Sequence, residues 1–82
     1  MKRSLKYIPT GTCSKLITVD VDDNTIIDVA FAGGCHGNTQ GLSALLRGMD
    51  VDEAIRRLEG IDCHGKGTSC PDQLAKALQS LR

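Results

Sequence analysis

The sequence predicts an α+β domain: a small antiparallel sheet of two to three strands, covered on one face by three helices. Two patterns carry that prediction. Apolar residues alternate on both sides of a turn in the first half of the chain and recur at helical spacing through the second half. Strands first and helices afterwards give segregated layers rather than an alternating α/β sheet. Length is the third observation, because 82 residues suit one domain, here 1–82, and leave no room for a second. A domain of this size buries only about 60–65% of the surface its unfolded chain exposes, so outside support for the core is expected from a metal, a disulfide or a partner.

Residues 4–8 read as a short first strand, ended by Pro9-Thr10-Gly11. Over 13–21 the alternation puts Ile17, Val19 and Val21 on one face, with Thr18 and Asp20 on the other. The turn-like run Asp22-Asp23-Asn24-Thr25 follows, and over 26–32 Ile27, Val29 and Phe31 share a face. If Val21 pairs with Ile27, Val19 meets Val29 and Ile17 meets Phe31, and the same register sets Cys13 opposite Cys35. The three helices are expected over 39–47, 51–59 and 71–81. Asn38 caps the first, which carries Leu42, Leu45, Leu46 and Met49. Asp50 with Glu53 forms a capping-box pattern ahead of the second, and Cys70-Pro71 opens the third, where proline suits the first helical position.

Composition removes several classes of function. Ten basic residues balance ten acidic ones, and Tyr7 and Phe31 are the only aromatics, so no electrostatic stripe or stacking platform marks a nucleic-acid surface. The segment MKRSLKYIPTG has no apolar run behind its charges, and no stretch approaches the ~18 apolar residues of a membrane span. A cytoplasmic protein, without direct nucleic-acid or membrane partners, is the expectation. Thiols stay reduced there, so four cysteines point first to metal or redox chemistry.

Those cysteines are Cys13, Cys35, Cys63 and Cys70. The hairpin register brings the first two to one end of the sheet. Cys70 stands at a helix start, where unpaired N–H groups favour a thiolate. Cys63 precedes it in a loop with Gly65 and Gly67, able to fold back so that both sulfurs reach one ion. A four-cysteine tetrahedral site is the outcome, zinc being the first candidate and an iron–sulfur cluster the alternative. Its spacing is not that of a zinc ribbon, which shows two C-x-x-C pairs, and whether Cys13 and Cys35 are ligands or a disulfide is open. A lone cysteine is often a small apolar filler, but here all four abut glycine-rich or capping segments. Cys35-His36-Gly37 is echoed by Cys63-His64-Gly65, and both histidines read as loop residues that stand in only if a cysteine stays out. The run GGCHGN is glycine-rich ahead of a helix but lacks the lysine of a phosphate-binding loop.

Thr68-Ser69-Cys70-Pro71-Asp72, together with Gly33-Gly34-Cys35-His36-Gly37-Asn38 upstream, resembles the TSCPD domain family over roughly residues 8–81. The resemblance implies a domain of the kind found at the C-terminal end of adenosylcobalamin-dependent ribonucleotide reductases, and also as short free-standing proteins. It implies a larger protein partner, such as a reductase, and no catalysis by this chain alone, which cannot hold a reductase's barrel, radical cysteine or cobalamin site. A fainter similarity is to iron–sulfur cluster scaffold proteins, whose three cysteines fall where Cys13, Cys35 and Cys70 stand. This chain departs from them with Lys15 in place of an aspartate, Ser69 in place of a histidine, and Cys63 as an extra thiol. A closed structural site fits those departures better than a labile assembly site. A thiol redox protein, with Cys70 as nucleophile and Cys63 or Cys35 resolving, is the third expectation.

Overall fold

A computed structural model of the chain describes residues 2–12, 14–34 and 36–81. The elements run β1 (Lys2–Tyr7), β2 (Ser14–Asp22), β3 (Thr25–Gly33), α1 (His36–Leu46), α2 (Val51–Leu58) and α3 (Cys70–Gln79). The strands form one antiparallel sheet in sequence order, with β2 central. The α+β architecture expected from the sequence is therefore the architecture found. Helix α1 packs on β3, α3 on β2, and α2 on α3.

Alternation along β2 explains the core. Ile17, Val19 and Val21 are essentially fully buried and meet Ile26, Val29, Leu46 and Leu58, with Leu74 and Leu78 of α3 over the middle of the sheet. Thr18 and Asp20 stay partly exposed on the other face. Phe31 and Tyr7 pack at the edge of this aliphatic cluster. Among the described residues, no helix is long and apolar enough to cross a membrane.

The predicted register holds in the middle of the hairpin and fails at both ends. Val19 faces Val29 and Ile17 faces Phe31, but a bulge between Asp20 and Val21 sets Val21 against Ile26. Ile26 is thus the core residue, and Ile27, expected on that face, is 45% exposed. The cause lies outside the hairpin. Gly48 N–H donates to the Ile26 carbonyl at 2.7 Å, and Ile26 N–H donates to the Met49 carbonyl at 2.9 Å, so the α1–α2 connection grips the outer edge of β3 there. A second bulge, between Ser14 and Leu16, sets Ser14 against Gly33 and resets the alternation, so that Ser14 is the buried side chain at that end. The constant-sum register that placed Cys13 opposite Cys35 does not reach this end. Both cysteines lie outside the described residues.

Element boundaries shift in understandable ways. β1 begins at Lys2 rather than at residue 4, since it is an edge strand whose ladder to β2 needs little burial. α1 starts at His36, which leaves Asn38 inside the first turn instead of at the cap. Its buried stripe is Thr39, Ser43 and Leu46, with Leu42 half-buried, while Leu45, expected inward, is 76% exposed. The Ser43 hydroxyl donates to the Thr39 carbonyl at 2.9 Å, which lets a polar stripe face the sheet. α2 is as expected, with the Asp50 carboxylate accepting from Glu53 N–H at 3.1 Å. The Glu53 carboxylate does not close the box, because Arg56 and Arg57 take it.

Candidate functional site

Three segments meet at one end of the sheet: the β1–β2 loop, the β3–α1 junction, and the loop into α3. The first is pinned to the third. Thr10 N–H donates to Gln73 Oε1 at 3.1 Å, and a Cβ on Gly11 would lie 2.9 Å from Thr68 Cγ2. Gly11 also has φ +74, so a side chain at the position is disfavoured on both counts. Ser14 pairs with Gly33 on one side and sets its Oγ 2.8 Å from Cys70 Sγ on the other. Gly33 and Gly34, with φ 82 and 80, turn the chain from β3 toward α1.

The run from Thr68 to Asp72 can be read residue by residue. Ser69 caps α3, its hydroxyl accepting from Asp72 N–H at 3.1 Å, and Pro71 occupies the first turn, where no N–H is missed. Asp72 is 4% exposed, and its carboxylate accepts from the Thr68 hydroxyl, from Gly60 N–H at 2.7 Å and from Lys76 Nζ at 3.0 Å. The Thr68 hydroxyl and the Gly60 amide hold that carboxyl down to a pKa of about 2. Thr68 Oγ1 in turn accepts from Gln73 Nε2 at 2.9 Å. Four of the five side chains are absorbed in closing the helix and fastening the loops. The Cys70 thiol takes no part in the capping, and its hydrogen-bond partner is Ser14 of β2.

Cys70 is half-buried and lines a groove of about 530 Å³, whose other walls include Leu42 and Leu45 of α1, Pro71 and Cys63. Cys63 is exposed, and both are free thiols. The loop that carries Cys63 folds back as its glycines predict. Cys63 N–H donates to the Thr68 carbonyl at 3.0 Å, Lys66 N–H donates to the Cys63 carbonyl at 3.1 Å, and the Asp62 carboxylate accepts from the amides of Gly65 and Gly67. The two cysteines before and at the α3 start therefore share one surface. Among the described residues no three acidic, histidine or cysteine side chains gather as a metal-binding group; two of the four predicted ligands, Cys13 and Cys35, lie outside that set.

Histidine adds little. His64 is exposed with φ 52, at the tip of the folded-back loop. Among the described residues the echo is one of sequence alone, since His36 and Gly37 open a helix whereas Cys63-His64-Gly65 turns a loop.

Thiol chemistry suits the place. The groove is mostly apolar, a setting in which soft sulfur donors bind a soft or borderline cation without competition from oxygen ligands. Thr12 Oγ1 is buried and has no hydrogen-bond partner among the described residues, an orphan hydroxyl one residue from position 13. By donor type, the two described thiols would suit a thiolate-held metal.

Sequence reasoning missed Ser14, Thr68, Asp72 and Gln73 as parts of this site. The spacing Ser69-x-x-Asp72 is a legible capping signal, and Thr68 and Asp72 stand four apart across a helix start. Ser14 had no such signal, because its burial depends on a bulge.

No curated protein and no solved structure matches the chain. A family model does match, that of the TSCPD domain, over residues 1–82. With the named motif seated at the junction of all three segments, the chain belongs to the TSCPD domain family.

Proposed function

We propose that this chain is a small zinc-binding module, with the thiolates of Cys13, Cys35, Cys63 and Cys70 as ligands, serving as an accessory or docking domain of a larger protein and not as an enzyme alone. The observation that carries the reading is the position of Cys70. Its thiol takes no part in capping α3 or in the Thr68–Asp72–Gln73 bonds, and it lines a groove that Cys63 also lines. The neighbours of positions 13 and 35 support it, since Ser14 reaches Cys70 and pairs with Gly33. A bound zinc would cross-link three loop segments and so supplement a core that is small for independent stability. The larger partner is inferred from the resemblance to reductase C-terminal domains.

The test is elemental analysis of anaerobically purified protein, with a visible spectrum and a count of free thiols. One zinc per chain, no colour, and four thiols titrating only after denaturation is the expected result. Chelation should then lower the melting temperature, because site formation and folding are coupled. Iron with sulfide and visible absorption would replace this reading with a cluster carrier. Protein that folds fully without metal and is indifferent to chelator would end it.

A further inference from the structure

Ser14 stands out from the other hydroxyls of the molecule. It is 4% exposed, its Oγ lies 2.8 Å from Cys70 Sγ, and no other partner of that oxygen is found among the described residues. It owes its inward position to the bulge between Ser14 and Leu16, without which the alternation along β2 would turn it away from the helices. A bulge that re-aims one polar side chain at one sulfur is a construction, and burial of a hydroxyl at that place carries a cost unless its hydrogen bond is kept.

We infer that Ser14 is a positioning residue of the thiolate centre, its hydroxyl donating to the Cys70 sulfur; this rests on the metal-binding reading above. A ligating sulfur carries no proton, so of the two atoms only the hydroxyl can donate. The bond fixes the Cys70 rotamer toward the groove it shares with Cys63. Because the sulfur is the acceptor, the bond also withdraws electron density from it, one of the ways in which an outer partner tunes a metal ligand. The Ser14 hydroxyl thus tunes the metal centre without touching the ion.

The experiment compares the full chain with its Ser14→Ala, Ser14→Thr and Ser43→Ala variants, with Zn²⁺ and Co²⁺ as probes. Ser43 is a second buried hydroxyl, bonded within α1, and controls for general loosening. Ser14→Ala should weaken zinc about tenfold in competition with a chromophoric chelator. It should also move the sulfur-to-cobalt charge-transfer band to longer wavelength, because the sulfur becomes more electron-rich. Ser14→Thr keeps the hydroxyl and should stay near the parent in both, as should Ser43→Ala. If Ser14→Ala does not fold, Ser14→Thr against Ser14→Val makes the same comparison at constant shape. Equal zinc affinity and an unmoved band across hydroxyl and non-hydroxyl variants would overturn the inference while leaving the metal reading intact. An equal loss in Ser43→Ala would overturn it as well. Failure of the parent to bind either ion would remove the metal reading, and this inference with it.

Discussion

Two helix starts in this molecule do the same structural job with different remainders. At the start of α2, the Asp50 carboxylate caps the helix and accepts from Asn24 Nδ2 at 2.6 Å, while Val51 N–H donates to the Asn24 carbonyl at 2.8 Å. That junction fastens the hairpin turn to the helix and leaves no reactive group over. At the start of α3, Ser69 caps, Asp72 gathers Thr68, Gly60 and Lys76, and the β1–β2 loop is tied on through Gln73. Once those needs are met, a thiol remains, in an apolar groove that a second thiol also lines. The candidate site proposed above is what is left after that junction's structural demands are satisfied. The two junctions also differ in burial: the bonds around Asp50 are exposed, those around Asp72 are not.

Burial should make the Asp72 junction far the more sensitive. Asp72→Ala strands the Thr68 hydroxyl in a buried setting, where an unsatisfied group costs about 1–3 kcal/mol, and removes the acceptor of the part-buried bond from the Gly60 amide. A loss of about 3 kcal/mol is the expected outcome, roughly 12–24 °C in melting temperature for a domain of this size. A change near that of an exposed cap would break the comparison.

Acid probes the same carboxylate without mutation. Its pKa is about 2 when folded, against ~3.9 for an unfolded aspartate, so the folded state favours the ionised form. The stabilisation is complete above the unfolded value and is lost as pH falls from about 4 through 2, roughly 2 kcal/mol in all. Denaturant midpoints measured at pH 5, 4, 3 and 2 should fall across that window, and fall less in Asp72→Asn. If the parent and Asp72→Asn follow parallel curves, the carboxylate is not what holds the loops.

The same comparison shows what the sequence made legible. Apolar alternation and helical spacing depend on near neighbours in the chain, so the hairpin, its turn and all three helices could be read, α2 almost to the residue. The Asp50 cap was legible because its partner is three residues away. Both bulges were not. Each is imposed by chain remote in sequence or by a break in the pleat: residues 48 and 49 grip Ile26, and the other bulge sets Ser14 against Gly33. That is why Ile27 was assigned to the core and Ser14 was overlooked. Leu45 was misplaced for a related reason, since the sheet selected the Thr39–Ser43 stripe of α1 over its more apolar neighbour. Of the four predicted ligands, Cys63 and Cys70 do share a groove, as the glycines between them suggested; Cys13 and Cys35 lie outside the described residues.

Glycine separates conformational strain from close approach. Gly11 and Gly48 both have positive φ, +74 and +85, but a Cβ on Gly11 meets Thr68 Cγ2 at 2.9 Å, whereas one on Gly48 meets nothing within 4 Å. Gly48→Ala should cost about 1 kcal/mol, the left-handed penalty alone. Gly11→Ala adds a methyl against a side chain already fixed by two hydrogen bonds, and should cost about 2 kcal/mol or more. Equal costs would mean that the β1–β2 loop is not held against the motif.

An effect as small as that of Gly48→Ala belongs to the exposed cap. Asp50→Ala removes an acceptor from Glu53 N–H and from Asn24 Nδ2, but both donors lie on the surface, where water replaces the lost partner. Asn24 Nδ2 also keeps Asp52 Oδ2 at 3.0 Å, and the backbone bond from Val51 to Asn24 is untouched. About 1 kcal/mol, or roughly 4–8 °C, is therefore expected from thermal unfolding. On the zinc reading proposed above, metal content should be unchanged, since this junction lies at the turn end of β2 and β3 and the cysteine-lined groove adjoins the other end. Loss of metal in this variant would show that the two ends unfold together, and the contrast between a structural junction and a functional one would then hold for chemistry but not for stability.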